Sequence, residues 1–199
     1  MKKVLCLICI TVICLLCFTG CFIEQTKTVY DTLNTLIAKD VAKLTLTLKT
    51  TTNQDTLTGT YNVTKSNDIY TVTYSYEKLN GYEEVDGVIV PPSEYKSTVQ
   101  GTMKVKNGTV IQQDGENVNI NVNVLNVNGL SFQESYFANV SDQAGLFKAD
   151  VINVKGLMGY AVDALNMKVE VGYSSSNISH IRITYLSNSS SVELLYVLA

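Results

Sequence analysis

From residue 44 onward, apolar and polar positions alternate over most of the chain. Leu44, Leu46 and Leu48 alternate with Thr45 and Thr47. Leu57, Gly59, Tyr61 and Val63 alternate with Thr58, Thr60, Asn62 and Thr64. After a turn at Ser66-Asn67-Asp68, Tyr70, Val72, Tyr74 and Tyr76 alternate with Thr71, Thr73, Ser75 and Glu77. A period of two is the side-chain period of a β-strand with one face buried. The pattern resumes with Val99, Gly101, Met103 and Val105, and Asn107-Gly108 then predicts a tight hairpin turn. Val110-Ile111 falls in the return strand, and Asp114-Gly115 marks a second turn. Val118, Ile120, Val122 and Val124, set between asparagines, predict another strand. Phe147, Ala149 and Val151 predict one more. The chain closes on a meander of Met167–Tyr173, Ile181–Tyr185 and Val192–Leu198, with turns at 174–177 and 187–190.

Other stretches keep a different rhythm. Val29, Leu33, Leu36, Ile37 and Val41 follow helical spacing and predict an amphipathic helix. Phe132, Tyr136, Phe137 and Val140 predict a short second helix over 130–140, with a strand as the alternative. Asn80–Glu94 holds Glu83, Glu84, Asp86 and Pro91-Pro92, and reads as a long acidic loop or a ragged hairpin. Gly156–Gly159 reads as a flexible apolar turn. Eight or nine strands joined by short turns require an antiparallel sheet. One face is apolar and the other rich in Thr and Asn, so one side is buried and the other wet. The expected class is therefore mainly β (α+β): a large curved antiparallel sheet with an N-terminal amphipathic helix. Two helices cover only part of such a sheet, which must either curl on itself or leave an apolar groove.

The first residues belong to a different kind of segment. Met1-Lys2-Lys3 is positively charged, and Val4–Phe18 is a 15-residue apolar run. A membrane-spanning helix needs about 20 apolar residues, so this run has the length of a signal peptide. It ends in Phe18-Thr19-Gly20-Cys21, which resembles the bacterial lipobox of Leu, a small residue, Gly or Ala, and Cys; Phe18 departs from the usual Leu. The resemblance implies diacylglyceryl transfer to Cys21 and cleavage before it. Residues 1–20 are then the signal peptide, and 21–199 form one β-rich domain, lipid-anchored on the extracytoplasmic face of a cell membrane. The five cysteines are Cys6, Cys9, Cys14, Cys17 and Cys21, so the mature domain has no disulfide, CxxC pair or Cys-based zinc site.

An export signal, a lipidated Cys, an amphipathic helix and a run of alternating strands together resemble bacterial lipoproteins with the LolA-like curved half-barrel. In that family the half-barrel carries acyl chains. The Tyr-Ser-Tyr-Glu and Met-Lys-Val-x-Val-x-Tyr strands also resemble lipoproteins of low-GC Gram-positive bacteria to which no activity is attached.

Composition narrows the chemistry. The formal net charge is −3, and no basic stripe offers a footprint for nucleic acid. His180 is the sole histidine, too few for a His-based metal site or a nucleophile–His–acid triad. No hydrolase, phosphate-loop or zinc-protease motif occurs. The acidic groups Glu83-Glu84-Asp86 and Asp114/Glu116 read as solvated loop charge. No catalytic residue, metal or cofactor is therefore expected. Tyr61, Tyr70, Tyr74, Tyr76, Tyr173, Tyr185 and Tyr196 all fall on the apolar side of their strands. Buried phenols want hydrogen-bond partners, so all of these except Tyr76 become candidate ligand-binding residues. The alternative is that they are bulky core filler. Two functions follow as expectations: a membrane-tethered module holding a lipid or other apolar ligand under its sheet, or a cell-surface protein that binds another envelope component.

Overall fold

A computed structural model describes residues 28–39, 41–53, 55–92, 94–116 and 120–199, with only the backbone of Glu83. The proposed signal peptide, Cys21 and Val118 lie outside the described residues. Among the described residues twelve strands are present: β1 (Lys43–Thr51), β2 (Thr56–Ser66), β3 (Ile69–Leu79), β4 (Glu83–Val85), β5 (Val88–Val90), β6 (Lys96–Lys106), β7 (Thr109–Gly115), β8 (Phe137–Gln143), β9 (Leu146–Val151), β10 (Leu165–Tyr173), β11 (Ile178–Ser187) and β12 (Ser190–Leu198). Ten of them form one open antiparallel sheet in the order β7-β6-β3-β2-β1-β12-β11-β10-β9-β8, and β4 and β5 form a separate hairpin. The sheet is thus two meanders joined where β1 pairs with β12.

Register lines up the apolar positions into continuous rows across the sheet. One row runs Gly101, Tyr74, Tyr61, Leu46, Tyr196, Ile181, Val171, Phe147. The next runs Val99, Tyr76, Gly59, Leu48, Leu194, Ile183, Val169, Ala149. A one-residue slip would turn either row out to water, so burial fixes the register. The turns Asn107-Gly108 and Asp86-Gly87 take positive φ at both central residues, as two-residue hairpins demand.

Helix α1 (Val29–Ile37) lies against the buried face. Thr28 caps it, accepting from the Asp31 N–H, while the Asp31 carboxylate accepts from the Thr28 N–H. Leu33, Leu36 and Ile37 are buried, each contributing about 1.5–3 kcal/mol. The helix ends at Ile37, short of Val41, although the helical spacing extends to it. The chain then crosses beneath the sheet, from the β7 edge to the β8 edge, by way of residues 120–136. Here the expected strand around Val122 and Val124 is absent. Two short 3-10 turns, Val122–Leu125 and Val127–Gly129, take its place and bury Leu125 and Val127. Asparagine is the physical reason: the Asn121 side chain accepts from the Asn123 N–H, offering the backbone a local turn in place of a ladder.

The expected helix over 130–140 is also replaced, by a 3-10 turn at Glu134–Tyr136 running straight into β8. Phe132, just before the turn, and Phe137, the first residue of β8, are buried with ring centroids 5.7 Å apart. The stretch read as a flexible turn holds a five-residue helix, α2 (Val154–Met158), capped by Asn153 and stopped by Gly159 at φ 75°. Leu157 and Met158 from α2, the crossing segment and α1 join the sheet residues in one core, which holds no buried charged group among the described residues.

Candidate functional site

All seven tyrosines of the alternating strands lie on the core side of the sheet. Tyr61, Tyr74 and Tyr196 are buried, whereas Tyr70, Tyr76, Tyr173 and Tyr185 are half-buried against the core. Small neighbours make the space. A Cβ on Gly101 would lie 2.4 Å from the Tyr74 hydroxyl, and one on Gly59 would lie 2.9 Å from the Tyr61 ring. Tyr61 and Tyr74 face each other across β2 and β3, with centroids 6.5 Å apart.

Protein groups hold several of the hydroxyls. Tyr74 donates to the Glu116 carbonyl at 2.9 Å, and its oxygen accepts from Gln113 Nε2 at 3.3 Å. Tyr70 donates to Asn126 Oδ1 at 3.2 Å, and Tyr173 to Asp142 Oδ1 at 2.7 Å. Burial pushes Tyr61 up to about 12. Burial, reinforced by the Asp142 carboxylate, does the same for Tyr173. Tyr160, Tyr185 and Tyr196 form a second cluster, each raised by burial, with Tyr185 adding to the rise at the other two. The Tyr160 hydroxyl is buried without a hydrogen-bond partner. Sequence patterning missed Tyr160 because it sits beyond α2, outside any alternating run.

Among the described residues, the candidate tyrosines do not share either of the two best-formed clefts. Tyr70 borders a rim cleft of about 360 Å³ with Lys65, Asn107, Asn123 and Asn126. A second cleft of about 300 Å³ lies on the polar outer face, among Lys148, Asp150, Lys168, Glu170 and Arg182. There Glu170 is a hub: Lys148 approaches at 2.9 Å, Arg182 at 3.0 Å and His180 at 3.5 Å. Its carboxyl is held below the usual range, chiefly by the Lys148 hydrogen bond. Tyr61, Tyr74, Tyr173, Tyr185 and Tyr196 line neither cleft. Among the described residues no three His, Cys, Asp or Glu side chains gather to hold a metal ion. No described helix is long and apolar enough to cross a membrane.

Apolar side chains are left bare at single positions such as Ile152 and Leu165, and as a group on one hairpin. Strands β4 and β5 form a hairpin arm between β3 and β6, rooted by the Asn80 N–H donating to the Tyr95 carbonyl at 3.0 Å. Tyr95 also donates to Asp55 at 2.8 Å. Past that root, Tyr82 is 76% exposed, Val85 51%, Val88 60% and Ile89 74%. Of the two forms expected for Asn80–Glu94, an acidic loop or a ragged hairpin, the hairpin is present, but its exposed apolar side chains are not legible among the carboxylates. No family model matches the chain, and no curated protein is significantly similar to it.

Proposed function

We propose that the chain is a membrane-anchored extracytoplasmic lipoprotein, non-catalytic, whose β body is a binding module for another envelope component. The positive, apolar leader ending in Thr19-Gly20-Cys21 supports the anchoring. One observation carries the binding reading: the chain fills the apolar face of its own sheet, while the β4–β5 arm holds large apolar side chains out in solvent. Soluble proteins rarely leave such patches bare without a partner for them. A Cys21→Ser chain should leave the membrane fraction and lose its acyl mass. Photo-cross-linking through Ile89 in cells should give discrete adducts. Adducts from the Thr-rich outer face alone would count against the arm as the contact.

A second reading, an acyl chain held beneath a LolA-like half-barrel, is favoured by the unpartnered Tyr160 hydroxyl within the Tyr160–Tyr185–Tyr196 cluster. A ligand headgroup could accept from that hydroxyl. Native mass spectrometry of protein extracted from its own membrane distinguishes the two readings. A bound lipid mass lost on Tyr160→Phe supports the carrier, and a clean apo mass removes it.

A further inference from the structure

We propose that the β4–β5 arm docks onto a basic envelope protein, at a surface where lysine or arginine side chains flank an apolar groove. The inference rests on the binding-module reading and adds the chemistry of the partner.

The arm is poorly supported by its own molecule. Its two strands pair only with each other, Val85 opposite Val88 and Glu84 opposite Ile89. That register places Val85, Val88 and Val90 on one face and Glu84 with Ile89 on the other. An isolated two-stranded hairpin is at best marginally stable in water. Apolar residues on both faces gain most when a partner covers them, and each strand keeps one edge turned away from its mate, the geometry that strand addition uses.

Charge decides between the possible occupants. Residues 79–95 contain four carboxylates, Glu83, Glu84, Asp86 and Glu94, and no Lys or Arg. The flanking cations are already engaged: Lys78 pairs with Glu116 at 2.5 Å and Lys96 with Asp55 at 3.1 Å. Among the described residues, Glu84, Asp86 and Glu94 make no ion pair. Arm-to-arm contact between two copies would bring two such acidic sets together. An anionic bilayer surface repels the arm for the same reason. A basic protein surface is attracted, and complementary charge both speeds encounter and fixes register.

The test uses the full-length chain in its own cells, with a photoreactive benzoyl-phenylalanine at Ile89 and, as a body control, at Thr73. The expected result is an arm-specific adduct with a different protein of net positive charge. Its yield should fall at least tenfold on Glu84→Lys with Asp86→Lys, and again on Val88→Ser. Melting curves of these variants check that the body stays folded. If the Ile89 adduct is a second copy or a lipid, or if charge reversal leaves its yield unchanged, the partner chemistry is wrong and the binding-module reading stands. Adducts from Thr73 alone move the interface off the arm and overturn the proposal. No adduct from either site overturns the binding-module reading itself.

Discussion

At the scale of single residues, glycine and tyrosine work as a pair. Tyr74 lies over Gly101, and its hydroxyl reaches the carbonyl of Glu116 where the chain leaves β7. A methyl group at 101 would meet the Tyr74 hydroxyl at 2.4 Å and the Asp114 carbonyl at 2.5 Å, a collision with backbone that cannot swing away. Gly101→Ala should therefore cost about 2–3 kcal/mol in chemical denaturation, within the range of overpacked cores. Gly172→Ala is the contrast. Its nearest neighbours are the side chains of His180 and Ser179, which can rotate, so the same method should find a loss under about 1 kcal/mol. Tyrosine also sets an alkaline limit. Tyr61 and Tyr173 stay protonated in the fold up to about 12, against 10.0 when unperturbed. Their burial adds stability in full below pH 10, and it is lost as pH rises from 10 toward 12, because the unfolded chain ionises first. Melting temperature should fall across that window, less steeply in Tyr61→Phe. The side of the sheet each tyrosine takes was legible from alternation. The fate of its hydroxyl was not, because the acceptors Asp142, Glu116 and Asn126 lie 31, 42 and 56 residues away.

At the scale of elements, the strands were readable because a one-sided sheet writes its period into the sequence. The crossing segment was not, since Asn-Val alternation imitates a strand while the asparagines hold the chain in turns. Asparagines on both sides of the contact tie it down. Asn34 of α1 donates to the Phe132 carbonyl at 2.6 Å and accepts from the Phe132 N–H at 2.8 Å, while Asn128 donates to the Ile37 carbonyl at 2.5 Å. Asn34→Ala breaks both bonds to a partly buried backbone and should cost about 2–3 kcal/mol, measured by denaturant midpoint. The arm should behave oppositely. Replacing Tyr82–Pro92 by Asn-Gly removes side chains that pack on little of the body, so stability should change by no more than about 0.5 kcal/mol in a thermal melt.

At the scale of the molecule, the open sheet has a deep middle and two thin margins. Hydrogen exchange should be slowest along β1 and β12, where Leu44, Leu46, Leu194 and Tyr196 are buried, and fastest along β7 and β8, whose side chains are mostly exposed. Comparable rates at middle and margins would mean that the sheet opens as one unit. The strand order itself lay beyond sequence patterning, because nothing in a run of similar strands announces that β1 pairs with β12.

That seam also governs timing. The strand that completes the middle of the sheet, Ser190–Leu198, is the last of the twelve to be synthesised. Until it arrives, Leu44–Leu48 and Ile181–Ile183 have no common neighbour, and the nascent protein is two half-built fragments with raw borders. Closure of the sheet is thus deferred until the last of these strands has been made, however early the two halves form.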